Sequence, residues 1–201
     1  MEELDALAAQ IRRCSKCRLA KGRTHAVPGA GSATARIVFV GEAPGFHEDQ
    51  QGIPFVGAAG NLLGTLLASI NITRDQVFIT NVVKCRPPDN RDPQPDEIEA
   101  CRGYLDQQIA LLKPLMIVTL GRFSMQLAYS GVAISGVHGQ PKRIGDIVYY
   151  PMFHPAAALH QPRYRSLLEQ DVRRIPEILS DLQSIDRGSE PPSPPAQLTL
   201  F

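Results

Sequence analysis

The chain has 201 residues, 43% of them hydrophobic and 20% charged, with a formal net charge of +1. That length and balance fit one well-buried globular domain and leave no room for two large ones. A near-neutral chain has no global field to draw it to nucleic acid, and no apolar run reaches the ~18 residues of a membrane helix. Any contact with DNA therefore has to come from local clusters of basic residues.

The acidic start, Met1-Glu2-Glu3-Leu4-Asp5, speaks against a leader peptide and places the chain in a reducing cytoplasm. There, cysteines serve as ligands or free thiols rather than disulfides. Residues 2–13 carry Leu4, Leu7, Ala8 and Ile11 at helical spacing. Cys14 and Cys17 follow, inside a stretch from 12 to 23 that holds Arg12, Arg13, Lys16, Arg18, Lys21 and Arg23 and no acid. A glycine-containing loop at 28–32 leads to Arg36-Ile37-Val38-Phe39-Val40, an apolar β-branched run that reads as a buried strand. It stops at Gly41-Glu42-Ala43-Pro44-Gly45, a turn that lets backbone approach a ligand and adds one carboxylate.

Residues 46–51 read as a polar loop and 52–57 as a second loop carrying Phe55. A helix is predicted over 58–70 and a strand over 76–80, with Asn81 at its end. The proline-rich loop 86–95 separates Cys85 from a helix whose start is marked by Pro95, Asp96, Glu97 and Glu99, and Cys101 faces inward on its apolar stripe. A third strand over 115–120 precedes a helix to about residue 129. A fourth over 147–152 precedes Phe153-His154-Pro155-Ala156. The last helix is predicted over 165–182 with a kink at Pro176. Strands alternating with helices predict an α/β three-layer sandwich, a central parallel sheet of four strands flanked by helices. No internal repeat is present. Residues 1–182 read as the domain and 183–201 as a proline-rich, extended tail ending in Gln197-Leu198-Thr199-Leu200-Phe201.

Cys14, Cys17, Cys85 and Cys101 are all the cysteines of the chain. Four thiolates suit structural zinc or an iron–sulfur cluster. Zinc usually shows two tight C-x2-C pairs, and here the second pair is spread over fifteen intervening residues. The basic residues around both pairs favour a larger anionic object.

With these residues in view, the chain resembles the family 4 uracil-DNA glycosylases over about residues 10–180. The resemblance rests on Cys14-x2-Cys17, Gly41-Glu42-Ala43-Pro44-Gly45, the segment from Gly52 to Gly57, Thr80-Asn81-Val82-Val83-Lys84-Cys85-Arg86-Pro87-Pro88, Cys101 and His154-Pro155-Ala156. It implies a four-stranded parallel sheet and a structural [4Fe-4S] cluster on Cys14, Cys17, Cys85 and Cys101. It implies a glycosylase that acts on uracil in single- or double-stranded DNA. Phe55 is then expected to stack on uracil, Asn81 to read its edge, and His154 to stabilise charge growing on its O2. Gly41 and Ala43 are expected to offer backbone to the base, and Glu48 to crowd its C5 position. Ala43 stands where the broader superfamily often has a water-orienting aspartate, so Glu42 becomes the candidate to position the water. Leu159 is the expected wedge into the duplex, with Arg163 and Arg165 on phosphates.

Two other readings stay open. A protein that captures abasic DNA would carry an Arg/His-rich insertion after the second strand, and residues 84–91 contain no histidine. An iron–sulfur glycosylase for another deaminated base would share the same frame. The terminal pentapeptide resembles the peptide by which bacterial repair proteins bind the sliding clamp, with Gln197, Leu198, Leu200 and Phe201 as its anchors. A monomeric, cytoplasmic, nucleoid-associated protein is the expectation.

Overall fold

In the computed structural model of the chain, residues 2–188 are described, with side chains through Leu182. The terminal pentapeptide at 197–201, where a clamp-binding peptide is expected, lies outside the described residues. The chain begins with α1 (Glu2–Arg12), α2 (Leu19–Gly22), β1 (Ala30–Gly31) and β2 (Ile37–Gly41). Next come α3 (Phe46–Gln51), α4 (Ala58–Ala68), β3 (Phe78–Asn81), a 3-10 turn at Pro88–Asn90, α5 (Pro95–Leu112) and β4 (Met116–Leu120). It continues through α6 (Arg122–Met125), α7 (Ile134–Val137), β5 (Lys142–Ile144), β6 (Ile147–Met152), α8 (Pro155–His160), α9 (Pro162–Arg173) and α10 (Ile175–Gly188).

These strands form a six-stranded sheet in the order β1-β3-β2-β4-β6-β5. The pairs β2–β3, β2–β4 and β4–β6 are parallel, so the four strands expected from the sequence are the middle of the sheet. The expectation of four strands is corrected at both edges, where β1 and β5 pair antiparallel. β1 is two residues long, too short for any periodicity to mark it. β5 is exposed throughout and has no apolar pattern, but Ile144 pairs with Ile147 across Gly145-Asp146, a two-residue hairpin turn.

Along β2 the side chains alternate between two cores. Ile37 and Phe39 join Leu63, Leu66 and Leu67 of α4 and Leu168 and Val172 of α9 on one face. Val38 and Val40 join Leu7 and Ile11 of α1 and Tyr104, Leu105 and Leu112 of α5 on the other. Crossover α4 therefore leaves β2 on one face, and crossover α5 leaves β3 on the opposite one. The connection from β2 runs to β3 on one side of the sheet, and that from β4 runs to β6 on the other. The crevice at the carboxyl ends of β2 and β4 is the switch point where open α/β sheets bind ligands.

Four segments depart from the sequence reading. Residues 46–51 form α3 rather than a loop, because Gly45 and the Glu48 carboxylate organise its first turn. The helix expected to reach residue 129 ends at Met125. The segment 156–165, expected as a loop entering the duplex, is α8 and the start of α9, each opened by a proline in its first turn. The last helix breaks at Arg174 rather than kinking at Pro176, which sits in the first turn of α10 where its missing N–H costs nothing.

Candidate active site

A cavity of ≈ 370 Å³ opens at the carboxyl ends of the central strands. Glu42, Ala43, Glu48, Phe55, Asn81 and His154 all line it, so six residues singled out from the sequence meet in one place. Gly41 is not part of the lining. It lies behind it, where a Cβ would stand 2.3 Å from Asn81 Oδ1 and 2.7 Å from Phe55 Cζ, and only glycine lets those two side chains close up.

Phe55 holds a left-handed backbone at φ 53°, a costly conformation for an aromatic residue. Gly60 makes room for it, since a Cβ there would sit 1.8 Å from the Phe55 carbonyl oxygen. The strained turn aims the ring at His154, with centroids 5.6 Å apart and planes inclined by 29°. Asn81 is 1% exposed, and its Oδ1 has no hydrogen-bond partner among the described residues. A buried amide oxygen left unpaired costs about 1–3 kcal/mol unless a ligand completes it.

His154 caps α8: its Nδ1 accepts from the Ala156 N–H at 3.1 Å. That bond makes Nδ1 the acceptor and leaves the proton on Nε2. Burial pulls the His154 pKa down to about 4, against a smaller upward pull from Glu48. The ring is therefore a neutral imidazole with one N–H to donate.

Burial lifts the Glu42 carboxyl above its ordinary pKa, Asp92 adds to the rise, and Arg122 opposes it. Asp92 and Arg122 are paired with each other, and both act on Glu42. Glu48 is a brace. Its Oε1 accepts from the N–H groups of Val56 at 2.8 Å and Gly57 at 2.9 Å, and its Oε2 accepts from Gly45 N–H at 3.1 Å. One carboxylate thus ties the start of α3 to the start of α4 and fixes the Phe55 turn between them. The opposite wall comes from the loop after Cys85. Arg91 lines the cavity and forks onto Glu97 at 2.8 and 2.7 Å, while Glu97 is fully buried at the start of α5.

The four cysteines surround a second, smaller cavity together with Lys16, Arg23, Lys84 and Tyr104. All four are free thiols. Arg23 Nη1 donates to Cys85 Sγ at 3.0 Å, and the Lys84 backbone N–H donates to Cys101 Sγ at 3.3 Å. Burial pushes the Cys101 thiol up to about 11. Among the described residues, no three His, Cys, Asp or Glu side chains are drawn into a group that could hold a single metal ion. The Arg23 guanidinium and the Lys84 backbone N–H, both aimed at sulfur, suit an anionic group held by thiolates.

A sequence model of the uracil DNA glycosylase superfamily matches residues 28–180. The type-4 uracil-DNA glycosylase of Sulfurisphaera tokodaii is 48% identical over 188 residues, covering 89% of this chain and 86% of the relative. That of Archaeoglobus fulgidus is 47% identical over 192 residues, covering 91% and 96%. That of Thermotoga maritima is 42% identical over 185 residues, covering 90% and 92%. The chain belongs to the type-4 uracil-DNA glycosylase family.

This family member keeps three of its expected DNA contacts outside the pocket. Leu159 is 47% exposed on α8, the helix whose first turn contributes Ala156 to the lining. Arg163 reaches the Tyr164 hydroxyl at 2.9 Å, and Arg165 pairs with Glu169 at 3.1 Å, so neither guanidinium is bare. Sequence reasoning passed over Pro87, Asn90 and Arg91 of the lining, the Asp92–Arg122 pair, and Phe46, which is 51% exposed beside Gly45 with Arg86 over its ring. The clue within reach was the close run of Pro87, Pro88 and Arg91 just before a helix start that needs its acids neutralised.

Proposed function

We propose that this protein extrudes uracil from DNA and hydrolyses its N-glycosidic bond, leaving free uracil and an abasic site. The observation that carries the reading is the buried Asn81 Oδ1, without a partner among the described residues, in one pocket with the Phe55 ring and the neutral His154 imidazole. A planar base with a donor–acceptor edge completes such a pocket. The named relatives, at 42–48% identity over most of the chain, support the same activity.

The chemistry follows from the groups at hand. Flipping the nucleotide costs roughly a few kcal/mol, and stacking on Phe55 returns ~1–3 kcal/mol. Asn81 offers an acceptor and a donor to the uracil edge, a pattern that cytosine does not match. As the glycosidic bond breaks, negative charge grows on uracil O2, and His154 Nε2–H donates to it without carrying a charge of its own. Glu42, raised above the usual carboxylate range by burial, orients the attacking water and takes its proton. Ala43 supplies backbone to the base. Glu48 acts through its brace, holding the wall that crowds the base at C5, while Gly41 lets Asn81 and Phe55 close.

Cys14, Cys17, Cys85 and Cys101 are the residues that would hold a [4Fe-4S] cluster. When bound, it supplies a structural cross-link between the N-terminal segment and α5. Leu159 and the exposed Phe46 flank the mouth as apolar contacts for the bases left behind, with Arg163 and Arg165 toward phosphates. The domain extends through α10 to Gly188, six residues beyond the boundary at 182 expected from the sequence. The pattern Gln197-Leu198-Thr199-Leu200-Phe201 supports docking to a bacterial sliding clamp, and retention on immobilised clamp that vanishes on deleting 197–201 tests it. Among the described residues no helix is long and apolar enough to cross a membrane, and a monomer working in the cytoplasm fits DNA as substrate.

A uracil-containing oligonucleotide, incubated with the protein and then heated in alkali, tests the central reading. Scission at uracil, absent when thymine replaces it, is expected. An intact uracil strand overturns the reading.

A further inference from the structure

Lys84 is 1% exposed, and among the described residues no carboxylate bonds its ammonium. Its three N–H bonds go to Thr80 Oγ1, the Asn81 carbonyl oxygen and Gln108 Oε1, each at 2.7 Å. Three donors meet three neutral oxygens, and the group is fully used. Thr80 and Gln108 are themselves buried and fixed to the Pro28 carbonyl, at 3.0 and 2.6 Å.

The position of these bonds on the sheet gives them meaning. β3 pairs with β2 through Gly41↔Asn81, and Val82 N–H donates to the Gly41 carbonyl. Backbone groups of a strand alternate sides, so the Asn81 carbonyl turns to the far edge. There the neighbouring strand has already ended, because β1 pairs only with Phe78 and Ile79. The Gly41 bond holds the N–H side of the Asn81–Val82 peptide, but with no partner strand on the far edge its buried carbonyl would be left unsatisfied. Lys84 folds back over three residues and fills that place. Its own backbone is held elsewhere, by Cys101 Sγ on one side and by Val27 N–H on the other.

We propose that Lys84 is a positioning residue for uracil recognition. Its ammonium takes the place of a missing strand, completes the Asn81 peptide that Gly41 holds from the other side, and so helps to set where the Asn81 amide stands in the pocket. The proposal rests on the uracil reading of that pocket and adds to it the residue that orients its base-reading amide. It gives the segment 81–85 a second task besides carrying Cys85: the same four-residue step anchors the amide to the cysteine cavity.

The test is a double-mutant cycle read by equilibrium binding of free uracil to the full-length, cluster-loaded protein. Asn81→Ala weakens binding through loss of the amide itself. Lys84→Met, which keeps length and removes the ammonium, is expected to weaken it about tenfold, with visible absorbance per protein unchanged. In the Asn81→Ala background, Lys84→Met is expected to add less than twofold, because its effect travels through the amide. Uracil affinity of Lys84→Met within twofold of wild type, full additivity of the two changes, or loss of visible absorbance each overturns the proposal. Should Lys84→Met not fold, Gln108→Leu removes one acceptor and keeps the ammonium. It is expected to weaken uracil binding about threefold in the wild-type background and not at all with Asn81→Ala, and equal affinity overturns the proposal. Failure of the underlying reading looks different: wild-type protein would then bind no uracil and leave uracil-containing DNA intact.

Discussion

The pocket and the cysteine cavity sit at the two ends of one five-residue stretch, and they treat polar groups in opposite ways. At Asn81 a buried amide oxygen has no partner among the described residues. At Cys85 a sulfur is met by Arg23 at 3.0 Å, and Cys101 by a backbone N–H at 3.3 Å. The first arrangement holds hydrogen-bonding capacity in reserve for a neutral, planar visitor. The second aims a guanidinium and a backbone N–H at sulfur, which suits an anionic group held by thiolates. The walls differ in the same sense. Carboxylates brace the pocket through Glu48 and Glu97, and its lining combines an aromatic ring, an amide and an uncharged imidazole with Glu42.

If that contrast is right, changes at the two places separate cleanly. The largest effect is expected from Cys101→Ser, which removes one of the four thiols proposed to hold the cluster: visible absorbance, cooperative thermal unfolding and activity fall together, read by spectrophotometry and a melt. Next comes His154→Ala. Loss of one donor to a developing oxyanion costs about 10²–10³ in rate, with absorbance and melting temperature near wild type. A His154→Ala protein that loses its absorbance would break the contrast.

The pH profile sharpens it further. His154 is neutral above its pKa of about 4, so it adds no acidic limb near neutrality. Glu42 is raised by burial first and Asp92 second, so kcat/KM is expected to fall as pH drops through a value above the ordinary carboxylate range. Asp92→Asn removes a raising charge and moves that limb to lower pH. Arg122→Met removes a lowering charge and moves it to higher pH. Glu42→Gln abolishes the limb along with most of the rate. Identical profiles for all three variants would remove Glu42 from the chemistry.

The smallest effect is expected at Arg23. Arg23→Gln leaves the excision rate within twofold and shortens the lifetime of the visible absorbance in air severalfold, because only the cysteine side has lost a donor.

Much of this was legible in the residues. The four parallel strands stood out as apolar β-branched runs, and Glu42, Asn81 and His154 as polar residues at strand ends, where an open sheet binds ligands; Ala43, Glu48 and Phe55 came from the family resemblance alone. The edge strands were not legible: Ala30–Gly31 is too short for a pattern, and Lys142–Ile144 lies exposed with nothing to bury. Helix α3 was hidden because its stability comes from Glu48 bonds to Val56 and Gly57, contacts that no local propensity encodes. Glu48, expected beside the base, lines the pocket and also braces the backbone of Gly45, Val56 and Gly57. Lys84 lines the cysteine cavity, while its ammonium bonds Thr80, Asn81 and Gln108 at the end of β3. Only the fold reveals that β1 stops too soon.

The account depends above all on the pocket doing chemistry through a neutral donor while the cysteine cavity stands apart. Single-turnover release of uracil from one defined oligonucleotide, followed for wild type and His154→Ala at pH 7, tests this directly. The prediction is uracil release by wild type, a loss of about 10²–10³ in rate for the variant, and unchanged visible absorbance. Release at the wild-type rate by His154→Ala, or none by either protein, would contradict it.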